Sequence, residues 1–176
     1  MYLISIYFDA QTSATLEKLI KRVAEATGNT FMLDNQVPPH ITVAAVETKR
    51  EDELVKCIDK LVTSSSIYTG DIQWVSVGAF MPQVIYIEPV LSEYLHCLSV
   101  RLTEEFSTIE DTICSSHYQP FHWLPHCTIG KQLSKEQMVE AFKVLQQYFV
   151  PIEGRVVRIG LARTNPHRDI KVWELK

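Results

Sequence analysis

Two stretches of the chain, about 86 residues apart, run through the same order of elements: strand, helix, strand, helix, strand. That repetition constrains the fold more than any other feature. The first copy opens on an apolar strand at Met1 to Asp9. A helix over 12–27 follows, with Leu16, Leu19, Ile20, Val23 and Ala24 at helical spacing and Gly28 as its stop. His40 to Val46 reads as a second strand. Thr48-x-x-Glu51 then reads as a capping box opening a helix that turns Leu54, Ile58, Leu61 and Val62 inward, and Asp71 to Phe80 closes the copy as a strand.

The second copy begins with a strand at Val84 to Val90. It continues with a helix carrying Leu91, Leu95, Leu98 and Leu102 on one face, and a strand opening at His126. Ser134-x-x-Gln137 caps the next helix, which sets Met138, Phe142, Leu145 and Phe149 on one stripe before the strand Arg155 to Ala162. The predicted caps Thr48 and Ser134 each lie eight residues after His40 and His126. A period this long is a duplication of a whole lobe, about 1–80 and about 84–176, within a single domain spanning 1–176. A last strand, Ile170 to Leu175, follows an Asn165-Pro166 turn.

With 176 residues and 46% hydrophobic composition, the chain can bury a substantial core and fold alone. No apolar run reaches the roughly 20 residues that span a bilayer, and the first residues lack a basic leader. Four isolated cysteines, Cys57, Cys97, Cys114 and Cys127, fit reduced thiols, so the expected protein is cytoplasmic, membrane-free and monomeric. The net charge of −4 hides an asymmetry: residues 131–176 carry 9 basic and 5 acidic side chains. A basic end suits a phosphate-bearing ligand, although a solvated face of mixed charge has the same composition.

The chemistry concentrates in His40-Ile41-Thr42 and His126-Cys127-Thr128. Residues i and i+2 of a strand share a face, so each motif projects an imidazole and a hydroxyl together. Pro39 and Pro125 fix the backbone just before each histidine, at the ends of the two longest irregular stretches, 28–39 and 107–125. One neutral histidine can take a proton from water or a hydroxyl, while a protonated one supplies a proton to the leaving oxygen. Each role is worth about 10² to 10⁴-fold. Thr42 and Thr128 would hold the non-bridging phosphate oxygens. Lys131 is the nearest cation, but it lies at odd spacing from His126, so a bulge, twist or strand end is needed to turn it inward.

His40-Ile-Thr-Val43 and His126-Cys-Thr-Ile129 resemble the paired His-x-Thr-x motifs of the 2H phosphoesterase superfamily. That group includes bacterial 2'-5' RNA ligase-like proteins and RNA 2',3'-cyclic phosphodiesterases. The resemblance extends to the order of elements, the proline before each motif and the approach Tyr118 to Pro125. It implies an α+β, bilobal fold with mainly antiparallel sheets facing a central cleft. It also implies hydrolysis of 2',3'-cyclic phosphate ends of RNA or nucleotides, or of 2'-5' linkages, without cofactor or metal. His40 and His126 would be the catalytic pair, with an RNA end or small cyclic nucleotide as partner. Lys131 stands where many relatives carry arginine, which trades a bidentate fork for a point charge.

Other readings of the same residues are blander. Tyr118, Phe121 and Trp123 could stack a nucleobase or simply pin their loop to the core. Cys114-x-x-His117 with His122, His126 and Cys127 offers zinc-type ligands, but not two ordered half-sites. His96 and His167 suit exposed or capping roles. A module that binds RNA ends or nucleotides without turnover is the alternative of a different class.

Overall fold

The computed structural model describes residues 1–164 and 168–176, and the Asn165-Pro166 turn and His167 lie outside the described residues. The first copy comprises β1 (Tyr2–Phe8), α1 (Ala10–Thr27), a short α2 (Phe31–Asp34), β2 (Ile41–Glu47), α3 (Glu51–Thr63) and β3 (Gly70–Phe80). The second comprises β4 (Val84–Pro89), α4 (Glu93–Ser107), β5 (Ile113–Cys114), a 3-10 turn at Ser116–Tyr118, β6 (Cys127–Gly130), α5 (Lys135–Tyr148) and β7 (Ile152–Arg163). β8 (Arg168–Glu174) follows. The α+β class and the repeated element order stand as read from the sequence.

Among the described residues eight strands pair antiparallel in one sheet, ordered β5-β2-β1-β7-β3-β4-β6, with β8 also on β7. The copies are interleaved within it. β7, from the second copy, lies against β1 and β3 of the first, and β3 continues the sheet to β4 and β6. The chain division near residue 80 is therefore one of sequence, while the pairing joins β1, β2 and β7 at one end and β3, β4 and β6 at the other. The third strand of each copy serves the other's end, and each end then has three well-paired strands.

Ile4, Ile6 and Phe8 of β1 and Ile85 and Ile87 of β4 are fully buried, and they meet Leu16, Leu54, Leu95 and Leu102 of the helices in one core. Several local readings shift. The helix after β2 is capped at Arg50, and Thr48 instead accepts from the Arg50 N–H at 3.1 Å, so Thr48-x-x-Glu51 forms no capping box. Ser134 and Gln137 do form one. The matching eight-residue offset is thus a likeness of sequence, not of cap geometry. Leu91 stays exposed ahead of the Ser92 cap of α4. On α5, Ala141 and Val144 are buried while Phe142 is exposed, because the helix turns its stripe by one residue to meet α1.

Candidate active site

Each motif histidine sits one residue before its strand, after an extended proline segment. His40 Nδ1 lies 2.8 Å from the Pro38 carbonyl, and His126 Nδ1 lies 3.0 Å from the Leu124 carbonyl. A carbonyl only accepts, so in both rings Nδ1 carries the hydrogen and Nε2 is left as the working nitrogen. The two motifs are tuned by the same local device. Both histidines are half-buried.

The motif strands match in a second way. β2 pairs Thr42 with Ser5 and Ala44 with Ile4, leaving Val43 as an extra residue; β6 pairs Thr128 with Tyr86 and Gly130 with Ile85, leaving Ile129. Each strand therefore bulges at the residue after its threonine, which ends strict alternation there. Gly130 faces the helices, since a Cβ on it would meet Leu133, Ile85 and Val23. Lys131 follows the end of β6, past the Ile129 bulge, where the odd spacing from His126 no longer fixes its face. The Lys131 ammonium lies 6.0 Å from the centre of the Phe31 ring on α2.

Two contacts hold the motif segments together. The Cys127 thiol receives a hydrogen bond from the His40 backbone N–H; it is fully buried, and burial pushes its pKa up to about 12. The Trp123 indole N–H donates to the Thr42 carbonyl at 3.1 Å. Trp123 is 6% exposed, so the loop-pinning reading of this side chain holds and its ring offers no open stacking face. Tyr118 is likewise packed against the core, and its phenol hydrogen-bonds the Thr42 side chain. Ser5 Oγ lies 3.3 Å from Thr42 Oγ1, both buried.

Aromatic side chains that the sequence reading did not select stand beside the histidines. The Tyr7 ring lies 6.2 Å from His40. The Phe80 ring meets His126 edge-on at 4.8 Å, and Tyr86 lies 5.3 Å from His126 and 4.5 Å from Phe80. Gly78 makes this possible, because a Cβ there would fall 2.4 Å from the Tyr86 ring. Phe80 is 40% exposed, an open ring at the motif. Its only sequence signal was the end of a strand. Burial lowers the His126 pKa, opposed by the bond to Leu124 and by the Glu88 carboxylate, which favours the neutral imidazole.

The zinc-type set is not assembled: among the described residues no three His, Cys, Asp or Glu side chains are grouped to hold a metal ion. His96 packs its ring 4.4 Å from the exposed Phe121, on α4. No helix among the described residues is long and apolar enough to cross a membrane.

A single antiparallel sheet with a duplicated histidine-threonine motif, each on a bulged strand, defines a two-histidine phosphoesterase-type scaffold. Solved structures share the fold. Escherichia coli LigT, solved with 3'-AMP, aligns over 99% of this chain and 97% of its own with a TM-score of 0.60 at 16% identity. A protein described as a phosphoesterase aligns over 99% and 98% (TM-score 0.58, 14% identity). The protein TT0787 of Thermus thermophilus aligns over 99% and 97% (TM-score 0.57, 13% identity). No curated protein sequence matches the chain. The profile of the 2'-5' RNA ligase superfamily matches residues 12–168. The chain belongs to that superfamily, the 2H phosphoesterases, whose members are phosphoesterases or ligases.

Proposed function

We propose that the protein is a metal-independent phosphodiesterase acting on 2',3'-cyclic phosphate ends of RNA or nucleotides, or on 2'-5' linkages. The observation that carries this reading is the pair of imidazoles held in the same tautomer, each by the carbonyl two residues back, on motif segments in direct contact. His126, whose neutral form burial favours, takes a proton from water through Nε2 as the water oxygen attacks phosphorus. His40 donates a proton to the ribose oxygen as its bond to phosphorus breaks, leaving a phosphomonoester. The Thr42 hydroxyl, set between Ser5 and Tyr118, and the Thr128 hydroxyl on the second strand hold the non-bridging phosphate oxygens. Lys131, just past the end of the second motif strand, offsets the developing charge. Phe80, rather than Tyr118 or Trp123, is the ring placed to stack a base. The 3'-AMP seen with LigT is a product-like nucleotide that suits this chemistry.

The test is hydrolysis of 2',3'-cyclic nucleotides in EDTA. Activity persists under chelation and falls at least about 10²-fold in His40→Ala and in His126→Ala. Full activity in both variants removes the mechanism. Loss on chelation alone moves the chemistry to a metal, and tight binding without product identifies a non-catalytic module.

A further inference from the structure

The strand pairing makes the two ends of the site equivalent position by position, and that equivalence shows where they differ. Ser5 opposite Thr42 corresponds to Tyr86 opposite Thr128. Two residues further along β1 and β4, Tyr7 opposite Arg158 corresponds to Glu88 opposite Ser76. β7 and β3 even share a register shift next to these residues, at Val157 and Val75. Both pairs lie on the threonine face, since they alternate in step with Ser5 and Tyr86. At the His126 end the pair is acidic and closed on itself, with the Ser76 hydroxyl donating to Glu88 at 3.3 Å. At the His40 end the same place holds a guanidinium.

Arg158 is half-buried, with its guanidinium 5.7 Å from the centre of the Tyr7 ring, and Tyr7 in turn neighbours His40. Among the described residues it makes no ion pair. Glu174, its Cα partner on β8, does not close on it, and Asp169 acts on the Tyr7 phenol from the same region. A half-buried guanidinium without a paired carboxylate keeps its fork of N–H donors available for an anion. Resting on the proposed function, we infer that Arg158, braced by Tyr7, binds a second phosphate of the substrate, the one on the 5' side of the terminal nucleoside. The substrate class is then an RNA end or a 5'-phosphorylated nucleotide, in preference to a plain cyclic mononucleotide. The strand enters at the His40 end, where the position equivalent to Ser76 holds the Arg158 guanidinium.

The experiment compares kcat/KM for a nucleoside 2',3'-cyclic phosphate and for the same compound carrying a 5'-phosphate. The wild-type protein favours the 5'-phosphorylated substrate by about tenfold or more, chiefly through KM, and raised salt shrinks the ratio. Arg158→Gln brings the ratio close to one, and Arg158→Lys, which keeps the charge but not the fork, retains part of it. A structural role would lower both activities together and leave the ratio intact, and that result overturns the inference. So does a wild-type ratio near one. If Arg158→Gln fails to fold, the salt dependence and Arg158→Lys still decide. Failure of the wild-type protein to turn over either compound refutes the phosphodiesterase reading itself, and is distinct from an unchanged ratio.

Discussion

Substituting valine at Thr42 and at Thr128 separates two hydroxyls that the sequence presents as twins. The Thr42 hydroxyl shares a hydrogen bond with the Tyr118 phenol and lies 3.3 Å from Ser5 Oγ, in a residue 8% exposed. Removing it strands the buried Ser5 hydroxyl, which costs about 1–3 kcal/mol when a buried polar group loses its partner. The Tyr118 phenol, in a half-buried residue, adds less because water can reach it. A domain of this length loses about 2–4 °C of Tm per kcal/mol, so Thr42→Val lowers Tm by roughly 2–12 °C. Thr128 is half-buried, with no side-chain hydrogen bond among the described residues, so Thr128→Val changes stability by about 0.5 kcal/mol or less. Both substitutions remove a donor to the phosphate and cut kcat by about 10² to 10³-fold. Thermal unfolding and cyclic-nucleotide kinetics on the two variants give the answer. Equal Tm losses, or a Thr42→Val protein as stable as wild type, would show that the Ser5–Thr42–Tyr118 cluster does not hold the hydroxyl as described.

The pH profile carries a defined sign. Burial lowers the His126 pKa, so the neutral base survives to pH values below the ordinary histidine value of about 6.5, and the acidic limb of kcat/KM falls below that point. The same depression means the unfolded chain binds the proton more readily, so this group's contribution to stability is present above about 6.5 and is lost as pH falls toward its folded pKa. Proton NMR titration of the His126 ring checks both, and a midpoint above 6.5 contradicts them. Gly78→Ala drives a Cβ into the Tyr86 ring, at 2.4 Å, and presses that ring toward His126 and Phe80. It lowers stability by about 1–3 kcal/mol and activity with it, whereas Gly78→Ala at wild-type Tm and kcat would show the ring free to move. Cys127→Ala removes the buried acceptor of the His40 N–H and reduces Tm and kcat/KM together, read by calorimetry and the same assay.

The sequence by itself determined the elements, their repetition and the four motif side chains. Apolar spacing on helices such as α1 reflects a local period, and a proline beside a histidine constrains the backbone wherever the chain later goes. Where a reading depended on one neighbour it drifted: Thr48 moved off the cap, Leu91 fell outside its helix, and Phe142 turned outward. What only the tertiary structure decided depends on strand partners. Pairing set β7 between β1 and β3, and the bulges at Val43 and Ile129, invisible in a pattern of period two, broke the strict alternation just past each motif threonine. It also brought Phe80, Tyr86 and Tyr7 beside the histidines from sequence positions far from either motif. A duplicated sequence makes two ends alike, and the pairing places unlike residues, Arg158 and Ser76, at equivalent points, because long-range register is not written in any local period.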